Sequence, residues 1–259
     1  MTRKILPCAA LLIALALCDG TFTSLLSASG SGGGGGGTAQ SVIWLGTLGG
    51  NGSQAYEVSA TGSVVVGYAS NASGQYRAFR WTASGGMQDL GDLGYAFAAA
   101  YGVSGDGSVV VGEAWDANVQ QRAFRWTAGG GMQDLGILGQ AFGVSGNGSV
   151  VVGASNAFRW TAAGGMRDLG TLGGVGSSAY DVSADGSVVV GDSQDASGQS
   201  RAFRWTASGG MQNLSTIYSG SIDSGSYFVF ANAISADGLH VVGYGYNRRN
   251  LRYEAFSTN

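Results

Sequence analysis

Six side chains in this 259-residue chain have types and spacings suited to acting together. Tyr68, Glu113, Asp192 and Tyr244 each follow directly on a Val-Val-Gly phrase, and Glu57 and Asp181 share a second phase shortly ahead of that phrase. Carboxylates and phenols gathered on one surface could hold a hard cation or hydrogen-bond a sugar. Two carboxyl groups about 5–10 Å apart across a pocket could also cleave a glycosidic bond, for which Glu113 with Asp192, or Glu57 with Asp181, are the pairs to test. The plain alternative is a solvated rim, since exposure is the ordinary state of a charged side chain.

Other chemistries lack the residues they need. The single histidine, His240, falls inside an apolar strand phrase, and both cysteines, Cys8 and Cys18, lie near the N-terminus. One imidazole without thiolates makes no zinc site of the usual kind, so no metal centre and no cofactor is expected. No Ser–His–Asp order and no phosphate-binding glycine loop is present. A net charge of −3 with thirteen basic residues argues against nucleic acid as a partner.

The elements that must position these side chains form a repeat. The phrase Ala55-Tyr-Glu-Val58-Ser59-Ala-Thr-Gly62-Ser-Val-Val-Val-Gly67 returns from Ala100, Ala141, Ala179 and, more weakly, Ala231. Within it, turns such as Asp106-Gly107, Asn147-Gly148, Asp185-Gly186 and Asp237-Gly238 separate two apolar stretches, a strong hairpin signal. The unalternating valines read as a strand buried on both faces. Ala78-Phe79-Arg80-Trp81-Thr82 and its copies give a third strand, and Met87-Gln88-Asp89-Leu90 and its copies a fourth.

Four short strands per unit of about forty residues is the pattern of a propeller blade. The last unit stops near Phe256 without a fourth strand, while Val42–Gly50 ahead of the first unit matches the end of the third, Arg167–Gly174. We therefore expect an all-β fold over residues 41–259: a β-propeller of five four-stranded blades, closed by Ser41–Gly50 completing the last blade. The alternative is a β-solenoid, which would gain nothing from that offset and would want polar caps.

Arg3 and Lys4 precede a mostly apolar run from Ile5 to Leu17, too short to span a bilayer comfortably, so residues 1–28 read as a secretory signal peptide. An uncleaved anchor is the alternative. Residues 29–40, with glycine unbroken from Gly32 to Gly37, read as a flexible linker. No membrane span is expected after cleavage.

Together, Val-Ser-Ala-Asp-Gly-Ser-Val-Val-Val-Gly, Arg-Ala-Phe-Arg-Trp-Thr and Gly-Gly-Met-Gln-Asp-Leu-Gly resemble the HAF family of extracellular bacterial repeat proteins, over Trp44 to Phe256. The family's His-Ala-Phe triplet appears here as Arg77-Ala78-Phe79, Arg122-Ala123-Phe124, Asn156-Ala157-Phe158, Arg201-Ala202-Phe203 and Glu254-Ala255-Phe256, with histidine in none. The resemblance implies bacterial export and periplasmic, surface or extracellular placement, and no particular activity.

Recurring polar residues read as structure. Asp89, Asp134 and Asp168 are expected to pair with the recurrent Arg80, Arg125, Arg159 and Arg204 across neighbouring strands. Asp106, Asp185 and Asp237 are expected to form turns, and Trp81, Trp126, Trp160 and Trp205 to pack between blades. In the third unit the loop equivalent to Asn71–Gln75 shrinks to Ala154-Ser155-Asn156, which should open a notch. The functional expectation is an exported, non-catalytic binding or adhesion module for an extracellular glycan or surface protein. Alternatives are a structural envelope or matrix component, and a propeller glycoside hydrolase using central carboxylates.

Overall fold

Five antiparallel modules follow one another in the computed structural model, which describes residues 42–259; the expected signal peptide, the linker and Ser41 lie outside the described residues. The first module is β1 (Gly49–Val58), β2 (Val64–Asn71), β3 (Tyr76–Thr82) and β4 (Gly86–Asp89). The second is β5 (Gly94–Val103), β6 (Val109–Asp116), β7 (Gln121–Thr127) and β8 (Gly131–Leu138). The third is β9 (Gln140–Val144), β10 (Val150–Ala154), β11 (Phe158–Thr161) and β12 (Gly165–Asp168). The fourth is β13 (Gly173–Val182), β14 (Val188–Asp195), β15 (Ser200–Thr206) and β16 (Gly210–Asn213). A four-residue helix, α1 (Leu214–Ile217), then precedes the last module of β17 (Tyr227–Ile234), β18 (Val241–Asn247) and β19 (Arg252–Ser257). This is a β-propeller, as the strand grammar of the sequence implies.

One register serves all modules. Val65 faces Trp81 across β2 and β3, as Val110 faces Trp126, Val151 faces Trp160 and Val189 faces Trp205. Each first strand carries a bulge against its second: Ala55 opposes Gly67 and Glu57 opposes Val66, leaving Tyr56 with no opposite residue. The glycine that ends each valine run makes the bulge possible, because a Cβ on Gly112 would lie 2.0 Å from the carbonyl oxygen of Ala99.

The cores lie between modules. Val64, Val66 and Ala78 of the first pack against Ala100, Val103, Val110 and Phe124 of the second. Val109, Val111 and Ala123 meet Ala141, Val151 and Phe158 in the same way, and the pattern continues to the last junction, where Val190 and Ala202 meet Ala231 and Val241. Trp126 and Trp205 are buried in these layers, as expected.

The expected Asp–Arg pairing between neighbouring strands does not form. The register places Arg80 opposite Gln88 and Asp89 opposite Phe79, so Asp89 instead meets Arg77 at 3.1 Å. Asp89, Asp134 and Asp168 each accept the amide two residues on, at 2.8, 2.7 and 2.8 Å. Arg80 is thereby free to reach the next module, donating to the carbonyl of Gly107 at 3.1 Å, and Arg159 does likewise to Gly186. The turn aspartates behave as expected: Asp106 accepts from the Ser104 hydroxyl and the Ser108 amide, which hold its carboxyl down at about 2.

The expected completion of the last blade is also corrected. Residues 44–47 contain no strand, Trp44 is 92% exposed, and β19 pairs with β18 alone. The sequence match that suggested closure belongs to a lead-in turn. Thr47 accepts from Gly49 and donates to the carbonyl of Gly50, as Thr171 does with Gly173 and Gly174, and Leu48 bridges Asn71 as Leu172 bridges Asp195. The shared phrase therefore steers the chain into a first strand, which needs no fourth strand before it.

Candidate functional site

The bulge decides what the first strands present. The residue without an opposite partner is Tyr56 in the first module, then Tyr101, Phe142 and Tyr180, with Asn232 in the last. Being outside the ladder frees these side chains from strand alternation, and they meet one another from module to module. Ring centroids are 5.3 Å apart for Tyr56 and Tyr101, 5.7 Å for Tyr101 and Phe142, and 5.8 Å for Phe142 and Tyr180. Phe230 and Tyr244 extend this aromatic band from Tyr180 at 6.2 and 5.1 Å steps.

Against the band lie the six residues singled out by sequence. Glu113, 1% exposed, accepts from the Tyr101 hydroxyl at 2.7 Å and from the amides of Gln140, at 2.9 Å, and Gln121. Asp192 accepts from Tyr180 at 2.8 Å, and burial raises its carboxyl above the usual range against the lowering effect of the Tyr180 and Ser200 hydroxyls. Tyr68 donates to Gln54 at 3.0 Å and packs on Tyr56, while Tyr244 stacks on Phe230. Each of the four is thus engaged by its own module's first strand.

Glu57 and Asp181 do something else. The carboxylate of Glu57 accepts the Val103 amide of the next module at 2.6 Å, and that of Asp181 accepts the Ile234 amide of its next module at 2.8 Å. Both are junction ties at equivalent positions. Loss of hydration among crowding neighbours, reinforced by the charge of Asp181, raises the Glu57 carboxyl to about 7 despite the Val103 hydrogen bond, although the residue as a whole stays exposed to solvent; burial also raises Asp181.

The structure therefore brings the predicted residues along one aromatic seam, with the Glu57 and Asp181 carboxyls near enough to feel each other's charge. Glu113 and Asp192 share no hydrogen-bonding partner. Two clefts lie on the described surface at irregular points of the repeat, and none of the four predicted carboxylates lines either one. One of about 310 Å³ is lined by Gln121, Leu138, Gly139, Gln140, Ala154 and Ser155. This is the notch expected from the shortened third loop. Its Gln121 and Gln140 amides are the ones Glu113 holds, and the seam's second-strand phase is only Ala154 here. The other, about 490 Å³, runs along β19 beside residues 220–226 and contains Asp223 and Glu254. Asp223 is paired with Arg249 at 2.9 Å, and Glu254 is held by Arg252 and Asn247.

Sequence reasoning missed Tyr56, Tyr101, Phe142, Tyr180, Gln121 and Gln140. The aromatic phase was visible, since a ring immediately precedes the Glu57 phase in four of five units. The two glutamines break the repeat and carried no such mark. No group of three metal-ligating side chains gathers among the described residues, and no helix among them is long and apolar enough to cross a membrane.

Four four-stranded modules and a three-stranded last one along an aromatic seam define a β-propeller scaffold that carries a notch between its second and third modules. The chain is similar in fold to TolB from Acinetobacter baumannii, at 14% identity and a TM-score of 0.50 over 77% of this chain. It is also similar to a putative TolB from Agrobacterium tumefaciens, at 15% identity and 0.51 over 79%, and to a puromycin hydrolase, at 16% identity and 0.51 over 79%. This chain spans half of the Acinetobacter protein, 80% of the Agrobacterium protein and 35% of the hydrolase. No family model matches the sequence, and no curated protein matches it.

Proposed function

We propose that this chain is an exported, non-catalytic binding module of the HAF repeat type, acting outside the cytoplasm, and that its ligand is an extracellular glycan. The observation that carries this reading is the notch. Its lining includes two side-chain amides whose orientation is fixed by hydrogen bonds to a buried carboxylate, and that carboxylate is tied to Tyr101 of the aromatic band. Pre-oriented planar amides suit a neutral polyhydroxylated ligand, since they offer both donors and acceptors without charge. The carboxylates of the seam serve as positioning groups, their lone pairs taken up by tyrosine, glutamine and backbone donors. Glycan-array binding by the parent chain, lost in Gln140→Ala and in Gln121→Ala while circular dichroism shows both variants folded at the assay temperature, is the expected outcome, each substitution also lowering the melting temperature because it removes a donor from the buried Glu113 carboxylate. Absence of binding to any glycan, or binding indifferent to both substitutions, would remove the notch from the account.

A further inference from the structure

The two ends of the array are the two halves of the junction that repeats inside it. At every internal junction the turn glycine of the following module sits on a valine of the preceding one. A Cβ on Gly107 would lie 2.3 Å from Val64, one on Gly148 2.3 Å from Val109 and one on Gly186 2.5 Å from Val150. The equivalent Gly62 of the first module meets nothing within 4 Å. Its neighbour Val58 is 53% exposed, where the equivalent Val103 and Val182 are each 5% exposed.

The far end shows the converse. Val242 of β18 is 45% exposed, against 0% for the equivalent Val66, Val111, Val152 and Val190. Ala255 is exposed where its counterparts in the other four triplets are fully buried. His240 stands where the other modules have the valine that receives the turn glycine. Neither end has the polar outer surface that a terminal repeat needs in order to stay solitary.

A directional hydrogen bond also crosses every junction at one position. The amide of Ala60 donates to the carbonyl of Gly105, Gly105 to Gly146, Gly146 to Ala184 and Ala184 to Ala236, at 2.9–3.2 Å. This leaves the Ala236 amide as a donor without an acceptor among the described residues, and the Ala60 carbonyl at the other end as the acceptor such an amide would use.

We propose that the last module of one copy docks on the first module of a second copy, head to tail, reproducing the internal junction. Val242 and Ala255 cover Ala55 and Val58, the Ala236 amide donates to the Ala60 carbonyl, and Gly62 leaves room for His240. The exposed Trp44 and the half-buried Leu45 of the incoming copy, just ahead of its lead-in turn, come next to the free edge of β19 and the cleft that runs along it. Such a contact uses different patches on the two partners, so it propagates into a ring or a filament and does not stop at a symmetric dimer. It goes beyond the glycan-binding reading and uses none of the notch.

The test uses the chain expressed from its full sequence and purified after export, with mass measured by sedimentation from about 1 to about 100 μM, the range in which modest interfaces associate. The parent is expected to grow in mass with concentration. Val58→Asp and Val242→Asp, at positions exposed in the single copy, should each be monomeric with parental circular dichroism and melting at low concentration. An equimolar mixture of the two should form a one-to-one dimer and nothing larger, because one intact face remains on each variant. A parent that stays monomeric throughout overturns the proposal, and a strong drop in melting for Val58→Asp would then indicate closure within one chain. Variants that still associate alone, or that fail to pair when mixed, overturn it equally.

Discussion

Two glycines in the same turn separate packing between modules from backbone strain within one. Gly62 and Gly148 have nearly identical positive φ values, 72° and 71°, and differ in what lies beyond the turn. A Cβ at Gly62 meets nothing, whereas at Gly148 it would lie 2.3 Å from the Cγ2 atom and 2.9 Å from the Cβ atom of Val109. Left-handed strain costs alanine about 1–2 kcal/mol in either place, partly offset by the stiffer unfolded chain. That part cancels in the comparison. Gly148→Ala alone must also push a buried valine aside in a layer where Val109 is 3% exposed, which costs about 1–3 kcal/mol more. For a unit of this size each kcal/mol is worth roughly 2–4 °C, so Gly148→Ala should melt about 2–12 °C below Gly62→Ala. The assay is thermal unfolding by far-ultraviolet circular dichroism at about 1 μM, dilute enough to disfavour association between copies. Equal melting temperatures would refute the reasoning: the face carrying Gly62 would then be covered, or the packing of the turn glycine on valine would contribute nothing.

Two further outcomes follow from the seam. Glu113→Ala leaves the Tyr101 hydroxyl and the Gln121 and Gln140 amides without their acceptor, so it should destabilise by about 3 kcal/mol, while Glu113→Gln, which keeps one acceptor, should cost less; parental melting in Glu113→Ala would mean that water replaces the carboxylate without loss. Crowding raises the Glu57 carboxyl from the usual 4.5 to about 7 in the folded chain, so the stability tied to its protonated form is complete below about 4.5 and lost as pH rises through about 7; solvent at this exposed residue screens the interaction and keeps the contribution small. Asp106, held near 2, acts oppositely, its contribution disappearing only as pH falls below about 4 towards 2. Melting profiles from pH 4 to 8 should therefore decline towards neutrality in the parent and flatten in Glu57→Gln, and parallel profiles would remove Glu57 from the pH dependence.

Strand positions, turns and blade grammar were legible because they rest on local chemistry repeated many times. Asp-Gly and Asn-Gly turns, the valine runs and the Phe-Arg-Trp strands all appear where the spacing puts them. The notch was legible too, because a missing loop is an arithmetic fact of the repeat. Asp89 and Arg80 were misassigned because their pairing depends on register: a shift of one residue in the β3–β4 ladder decides whether arginine meets aspartate or glutamine. The last blade was misjudged because Thr47-Leu48-Gly49-Gly50 repeats a lead-in turn, and sequence similarity alone does not reveal how far a similar element extends.

What the sequence by itself determined is the periodic part: an all-β array in which most polar residues recur once per unit, for the same local reason each time. Tertiary structure decided which side chains meet. The bulge at Tyr56, Tyr101, Phe142 and Tyr180 exists only when two strands pair out of step by one residue, and it turns an apparent strand interior into a continuous aromatic band. Whether Glu113 is a reactive carboxylate or a buried acceptor depends on Gln140, twenty-seven residues away and in the next module. The openness of the two ends is likewise invisible in the repeat, because every unit carries both halves of the junction. Only the curvature accumulated through the modules determines whether the first and last halves find each other.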